Sequence, residues 1–270
     1  MKETEYAGAP PEEGRITVET EGHVRLIGLD RPSKLNGLTP EMLRALAEAF
    51  TAFEADDEAR VGVLFAHGRH FTAGLQLDRC APIMARGESL YPLDCVDPMG
   101  LREPVRSKPM VAAVRGICFT AGIELMLACD MVVAGDDCRF SQLEVRRGIM
   151  PTGGATLRFV ERAGWGNAQR LLLTGMEFDA TEAHRCGLVQ EIVPADRVLE
   201  RALTLALSIA ACAPLAVRAS LASSRRFSAF GPIAAAAALD AEQRRLSCTE
   251  DAREGVQSFL ERRNANFKGR

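Results

Sequence analysis

The sequence predicts an α/β protein that ends in a helical region, and three observations support this class. Short apolar segments of strand length alternate with longer segments whose apolar residues recur at the helical period, an arrangement typical of a parallel sheet with helical crossovers. The chain has 270 residues, of which 47% are hydrophobic and 26% are charged, as in an ordinary folded domain. Strand-like segments stop near residue 194, and helix-forming sequence continues from there.

Apolar segments and the residues at their ends predict the first two strands and the first helix. Apolar residues at 16–18 and 24–29 predict two strands, and turn-forming residues terminate the second. Thr39 then suits a helix N-cap, Pro40 the first helical position and Glu41 the positive end of the helix dipole. The apolar residues that follow near the helical period are Met42, Leu43, Leu46, Phe50 and Phe53.

Further apolar segments extend the predicted sheet. Strands are expected at 61–66, 110–114, 130–134 and 188–193, with a helix from about Ala121 between the second and third of these. Because short apolar strands separated by helices pair in parallel, the segments belong to one α/β unit.

The pattern divides the chain into three parts. Residues 1–14 are polar, contain Gly and Pro, and are interpreted as a flexible tail. Residues 15–200 are expected to form the α/β core. Residues 201–270 are expected to be helical, with interruptions at Pro214 and Gly231-Pro232 and a last helix at about 250–263.

Composition also bears on partners and location. With 33 basic and 36 acidic residues the net charge is −3, which argues against a nucleic-acid-binding protein. Polar residues and a proline interrupt the longest apolar stretch, 202–217, so we expect no membrane span and a cytoplasmic location. The eight cysteines and four histidines are scattered, so we expect neither a metal site nor a disulfide framework.

Two segments contain small residues where backbone amides are left free. Ala73 and Gly74 follow the third predicted strand, and Ala121 and Gly122 lie where a buried strand meets an apolar helix. Free amides at a helix N-terminus, together with the helix dipole, favour an anion or oxyanion site. An ordinary strand-to-helix turn remains the alternative for the first segment.

Two glutamates are candidates for proton transfer. Glu124 lies in the first turn of the apolar helix, where burial would raise its pKa, although a first-turn glutamate also simply stabilises the helix dipole. Glu144 lies beside Arg146 and Arg147, and a surface ion pair explains it equally well.

The small-residue segments and the two glutamates belong to a set of five motifs that follow one another along the chain. They are Arg31-Pro32-Ser33-Lys34-Leu35-Asn36-Gly37, Phe71-Thr72-Ala73-Gly74, Thr120-Ala121-Gly122-Ile123-Glu124-Leu125 with Ala128-Cys129-Asp130, Glu144 with Pro151-Thr152-Gly153-Gly154, and the ending Phe267-Lys268-Gly269-Arg270. In this order they resemble the enoyl-CoA hydratase/isomerase (crotonase) superfamily from about residue 16 to the C-terminus.

The resemblance implies both architecture and chemistry. It implies a crotonase-like ββα spiral core and a C-terminal helical oligomerisation region that builds trimers, which pair into hexamers. It implies a hydratase that adds water to a 2-enoyl-CoA to give 3-hydroxyacyl-CoA, with Glu124 and Glu144 as catalytic residues. The backbone N–H groups of Leu75 and Ala121 would hold the thioester oxygen. No metal is implied, and no cofactor beyond the CoA of the substrate.

The resemblance also supplies candidate substrate-binding positions. They are Lys34, Leu35, Ala73, Leu75, Gln76, Leu77, Ala121 and Gly122. Lys34 and Lys268 are candidate partners for the CoA phosphates, although each is equally explained as a solvated surface lysine.

Two departures from the family pattern bear on substrate fit. Thr120-Ala121-Gly122 stands where many members have three glycines, which adds a methyl group near the thioester. Gln76 replaces an acidic residue, which predicts the loss of a helix cap or a hydrogen-bond acceptor beside the oxyanion loop.

Other functions of the same fold remain open. A Δ3,Δ2-enoyl-CoA isomerase needs one base only, and another acyl-CoA lyase is a further alternative. A crotonase-like binding protein, including the RNA-binding type, would be expected to show a basic patch, and the arginine pairs of this chain are too sparse for one. Two glutamates favour the hydratase.

Overall fold

The computed structural model describes residues 12–270. In chain order the strands are β1 (Arg15–Glu21), β2 (Val24–Asp30), β3 (Val61–Ala66), β4 (Met110–Val114), β5 (Ile117–Phe119), β6 (Met131–Gly135), β7 (Arg139–Ser141), β8 (Phe178–Asp179) and β9 (Glu191–Val193). The α-helices are α1 (Pro40–Ala55), α2 (Leu77–Ala85), α3 (Ala121–Ala128), α4 (Ala155–Thr174), α5 (Ala180–Arg185), α6 (Val198–Ala210), α7 (Pro214–Ser247) and α8 (Glu250–Glu261). The predicted α/β class is confirmed.

The larger sheet has the strand order β1-β2-β3-β4-β6-β9. Strands β1 and β2 pair in antiparallel fashion, and every later pair in this sheet is parallel. All residues of β3 and β4 are buried, as expected of parallel strands covered on both faces. The strand predicted at 188–193 is shorter than expected, because Leu188 and Val189 are buried in the turn that follows α5.

A second sheet, of order β5-β7-β8, creates a repeating unit. Strands β4 and β6 are each followed by a short strand, β5 and β7, and these two pair in parallel. After β3, Thr72 occupies the equivalent place and forms a parallel bridge with Cys118 of β5. Helices α2 and α3 follow the first two units. The repeat confirms the predicted ββα spiral and brings the segments after Thr72 and β5 side by side.

Helices cover both faces of the larger sheet. The main core joins α1, α3 and α4 to one face. On the other face α6 packs a stripe of small residues, one turn apart, against valines of the parallel strands; the stripe is Val198, Ala202, Ala206 and Ala210. Thr39 caps α1 as predicted, since its hydroxyl accepts from the N–H of Met42 at 3.1 Å.

The C-terminal helices extend away from this core. Helix α7 has a break at Gly231, where φ is +79°, and Arg225 in its first half binds Asp130 of the core at 3.0 Å. The division proposed at residue 200 falls within α6. Among residues 12–270, no single helix is long and apolar enough to cross a membrane; one pair, 195–210 with 214–247, bent by 107°, has the length and composition only when taken together.

We predicted a flexible tail over residues 1–14, and residues 1–11 of it lie outside the described part of the chain. The last part of that segment contacts the core. The carbonyl oxygen of Glu12 accepts from Arg31 Nε at 2.7 Å, and that of Glu13 accepts from the Thr39 hydroxyl at 2.8 Å.

Candidate active site

The first candidate oxyanion donor is the backbone amide of Leu75, between β3 and α2. Its two neighbours in sequence are both paired with Leu38: the N–H of Leu38 donates to Gly74 O, and the N–H of Gln76 donates to Leu38 O, each at 2.8 Å. Because successive amides of an extended strand point to opposite sides, the N–H of Leu75 points away from Leu38.

The second candidate donor is the amide of Ala121, the first residue of α3. An amide at this position has no acceptor within its own helix. The loop before it contacts the loop before Leu75: Gly74 has φ +99°, and a Cβ built there would lie 1.8 Å from Thr120 Oγ1. Only glycine fits at position 74. Leu75 and Ala121 each lie one residue beyond this contact, so the two amides are neighbours.

Thr120 has a backbone conformation that is unusual for its residue type. Its φ of 51° and ψ of −119° lie in a region that glycine adopts easily and a β-branched residue does not. The sequence departure at this position therefore places strain, as well as a side chain, at the entrance to α3.

Glu124 is held by a turn from a distant part of the chain. Its Oε1 accepts from the N–H groups of Gly153 at 2.7 Å and Ala155 at 3.1 Å. A Cβ at Gly153 would lie 2.6 Å from Glu124 Oε2, so glycine is required for this approach. Burial raises the pKa of Glu124, while the two N–H donors and the charge of Arg158 oppose that rise.

Glu144 has fewer partners than Glu124. It begins a short 3₁₀ segment after β7, and its Oε1 accepts from Gln142 Nε2 at 3.1 Å. Among the described residues nothing binds its Oε2 or the Oε1 of Gln142, and both atoms are buried. Burial, reinforced by the nearby charge of Glu124, raises the pKa of Glu144 to about 7.

Two adjoining cavities connect these groups. The smaller cavity, of about 180 Å³, is lined by both glutamates and by Ala73, Leu75, Leu77 and Ala121. The larger cavity, of about 440 Å³, shares Leu75, Ala121 and Glu124 with the smaller one and extends along the loop after α2. Six of the positions predicted from the sequence therefore meet at one place.

Other predicted positions lie away from the cavity walls. Lys34 and Leu35 are exposed, at the end of a short 3₁₀ turn in which Leu35 has φ +52°. Gly122 packs against Thr72, since a Cβ at position 122 would lie 2.6 Å from the Thr72 methyl group. Lys268 is exposed, and its backbone N–H donates to Asp251 at 2.7 Å.

The expectation for Gln76 is wrong in one respect. We predicted that replacing the family's acidic residue would remove a hydrogen-bond acceptor. The amide oxygen of Gln76 instead accepts from Arg31 Nη1 at 2.7 Å, so the acceptor is retained, whereas Gln76 at the N-cap of α2 makes no side-chain capping hydrogen bond, as expected.

Three features of the site were not assigned a role from the sequence. Nothing in the sequence singles out Gln142, and Gly153 appears there only as part of a motif. The wall of the larger cavity contains Tyr91, Asp97 and Arg102, in a loop without any periodic pattern. Within residues 12–270 no group of three His, Cys, Asp or Glu side chains could hold a metal ion.

The fold and the site together define a ββα spiral protein with two buried carboxylates and two neighbouring amides at one cavity. Comparison with known proteins agrees with this class. A family model described as enoyl-CoA hydratase/isomerase matches residues 19–270. The chain therefore belongs to the enoyl-CoA hydratase/isomerase family.

Individual relatives are similar over almost the whole chain. A crystal structure of a probable enoyl-CoA hydratase/isomerase from Mycobacterium abscessus has 45% sequence identity and a TM-score of 0.91, and the match covers 94% of this chain and 98% of that one. The 2,3-dehydroadipyl-CoA hydratase of Escherichia coli K12 is 35% identical over 259 residues, which cover 94% of this chain and 99% of that protein. A probable enoyl-CoA hydratase from Rhizobium meliloti is 36% identical over 266 residues, with coverage of 94% and 98%.

Proposed function

We propose that this protein is a 2-enoyl-CoA hydratase that adds water across the 2,3 double bond to give 3-hydroxyacyl-CoA. One observation carries the proposal: Glu124 and Glu144 line the same small cavity as Leu75 and Ala121, the residues whose amides are the candidate oxyanion donors. An isomerase needs one base to move a proton between C2 and C4. Two carboxylates are what the addition of water requires, because one accepts a proton while the other supplies one.

The two amides would stabilise charge on the substrate. With the thioester oxygen between the N–H groups of Leu75 and Ala121, attack at C3 places negative charge on an oxygen that already has two donors. Removing one such donor in other enzymes costs about 10²–10³ in rate, so the pair would supply several kcal/mol. Backbone donors also tolerate the substitution at position 121, because the N–H is unchanged.

The surroundings of the glutamates assign their roles. Burial raises the pKa of Glu124, but two backbone N–H groups bind its carboxylate and oppose that rise, so we assign to Glu124 the role of accepting the proton of the attacking water. Glu144, with a pKa raised to about 7 by burial, carries a proton in much of the population at neutral pH. The water oxygen bonds to C3, its proton passes to Glu124, and the proton of Glu144 passes to C2. Return of a proton from Glu124 to Glu144 restores the enzyme.

Mixing the protein with crotonyl-CoA tests the proposal. We expect loss of the conjugated-enoyl absorbance and formation of 3-hydroxybutyryl-CoA. A 3-enoyl-CoA is the counter-substrate: a gain of conjugated-enoyl absorbance from it, with no hydration of crotonyl-CoA, would make the protein an isomerase. Tight acyl-CoA binding without either reaction would make it a binding protein.

We infer that the CoA moiety extends from the cavity past the Arg31–Leu35 loop. Lys34 and Leu35 are exposed there, and the loop is joined to the oxyanion segment because the N–H of Ala73 donates to Leu35 O at 3.0 Å. Lys268 is also exposed and stays a candidate partner of a CoA phosphate.

We also infer an assembly of trimers that pair into hexamers. Large apolar side chains are exposed on the C-terminal helices; they include Phe227, Phe230, Ile233, Val256, Phe259 and Leu260. Contiguous exposed apolar surface is typical of protein interfaces. Light scattering that gives three or six times the 29.3 kDa chain mass is the expected result, and a monomer would contradict it. A cytoplasmic location stays a prediction.

A further inference from the structure

We propose that the larger cavity selects acyl-CoA substrates with a carboxylate at the far end of the acyl chain, and that Arg102 binds that carboxylate. The inference rests on the proposed hydratase function and adds a substrate class to it. It is carried by the position of a guanidinium in the wall of the cavity that contains Glu124.

The loop that carries Arg102 is attached to the turn that holds Glu124. Arg158 bridges the two: its Nη1 donates to Gly153 O at 3.1 Å, and its Nη2 donates to Met99 O at 2.6 Å. Leu101 also lies against Gly154, since a Cβ built on that glycine would be 3.3 Å from the Leu101 Cδ2 atom. The 97–102 loop therefore has a fixed position relative to the reacting end of the substrate.

Arg102 is positioned by an aromatic ring and a buried carboxylate. Its guanidinium carbon lies 5.0 Å from the centre of the Tyr91 ring, within the range of a cation–π contact. Its Nε forms an ion pair with Asp97 Oδ2 at 3.8 Å, and the guanidinium also interacts with the Tyr91 hydroxyl. The side chain is half exposed. A guanidinium has five N–H donors in a planar fork, so this arrangement leaves room for a bidentate carboxylate.

The acidic residues Asp97 and Glu88 of the same wall have hydrogen-bond partners of their own, and Asp97 is also the ion-pair partner of Arg102. Asp97 accepts from the Tyr91 hydroxyl at 2.6 Å and from three backbone N–H groups, of residues 99, 101 and 102, each at 2.9 Å. Both oxygens of Glu88 accept from Arg86, at 2.6 Å and 3.0 Å. Arg102 is the one cation among the described residues that line this cavity, so it is the group that an anion entering the cavity would meet.

An acyl chain that ends in a methyl group forms no hydrogen bond with the arginine in this wall. A methyl group at the end of the chain would contact this wall without satisfying any guanidinium donor of Arg102. A carboxylate would form charge-assisted hydrogen bonds there, and a site built to bind a polar group discriminates strongly against the analogue that lacks it. The cavity chemistry thus favours the dicarboxylic acyl group.

A matched pair of substrates tests this inference. Trans-hex-2-enoyl-CoA and its counterpart with a carboxylate in place of the terminal methyl group have the same chain length. We expect the wild-type protein to hydrate the carboxylate substrate with at least a tenfold higher kcat/KM. The variant Arg102→Met should lose most of that ratio, chiefly through KM, and Arg102→Lys should keep part of it because the charge remains.

The control variant is Arg79→Met. Arg79 lies on α2 and pairs with Glu41 at 2.6 Å, outside the cavity wall, so we expect the ratio to be unchanged. Equal kcat/KM values for the two substrates in the wild type would overturn the inference and leave the hydratase proposal intact. An equal fall for both substrates in Arg102→Met would overturn it as well, since it would indicate a merely structural role.

Binding measurements separate failure of the inference from failure of the function. If neither substrate is hydrated, the hydratase proposal fails, and the affinities of adipyl-CoA and hexanoyl-CoA then decide the inference. Tighter binding of adipyl-CoA that depends on Arg102 supports carboxylate recognition. Equal binding of the two CoA esters, or a difference that Arg102→Met leaves in place, overturns it.

Discussion

The two glutamates of the site carry the same chemical group in very different surroundings. Glu124 lies in the first turn of helix α3 and is held by two backbone N–H groups from the Gly153 turn. Glu144 lies on a 3₁₀ segment and has one amide partner, Gln142, with its second oxygen buried and unpartnered among the described residues. The difference teaches that the fold gives two identical side chains different environments, and the proposed roles of base and acid rest on those environments rather than on the residue type.

Removing either carboxylate should have the largest effect. Because both proton transfers are needed in one step, Glu124→Gln and Glu144→Gln should each lower kcat for crotonyl-CoA hydration by about 10³-fold or more. The double variant should be little worse than either single one, since groups that act as a unit are not additive. Steady-state kinetics measures this, and circular dichroism checks that the variants are folded. Near-normal turnover in both single variants would refute the two-glutamate mechanism.

Displacing Glu124 without removing it should have a smaller effect. In Gly153→Ala the new Cβ would meet Glu124 Oε2 at 2.6 Å, so the carboxylate must move from its position. A displacement of that kind costs up to about 10² in rate. The control is Gly166→Ala, where a Cβ meets nothing within 4 Å, and which should leave the rate unchanged. Equal rates in the two variants would show that the Gly153 contact does not position the base.

The pH dependence should distinguish the acid from the base. Hydration requires Glu144 to be protonated, and its pKa is raised to about 7, so kcat/KM should fall about tenfold per pH unit above that value. A flat profile from pH 6 to 9 would contradict the assignment.

Folding stability should respond to the same pKa shift. Because the pKa of Glu144 is raised on folding from 4.5 to about 7, its contribution to stability is complete below pH 4.5 and is lost as the pH rises through 7. Glu144→Gln removes this loss. The free energy of unfolding of the variant minus that of the wild type should therefore rise by up to about 3 kcal/mol between pH 5 and pH 8.5. Urea unfolding at these two pH values measures the difference.

The sequence was most informative where local chemistry determines structure. Strands β3 and β4 have the predicted limits because continuous apolar segments must be buried, and α1 begins at its predicted cap. The pairing of Glu124 with Glu144 came from the order of the motifs, not from spacing, since twenty residues along the chain say nothing about distance in space.

Other parts depend on contacts that no local pattern records. Strands β5 and β7 have three residues each, and their pairing, which creates the ββα repeat, is imposed by the surrounding core. The amide of Gln76 keeps an acceptor because Arg31, distant in sequence, reaches it. The loop with Arg102 lacks periodicity altogether, so its place in the cavity wall is visible only in three dimensions.

The mass of the product formed in ¹⁸O-labelled water tests the central claim most directly. Wild-type protein and crotonyl-CoA should give a product heavier than the substrate by one water molecule, with the label in the new hydroxyl group, and neither Glu124→Gln nor Glu144→Gln should form it at a comparable rate. A product with the mass of the substrate, or label incorporation that survives loss of both carboxylates, would contradict the account.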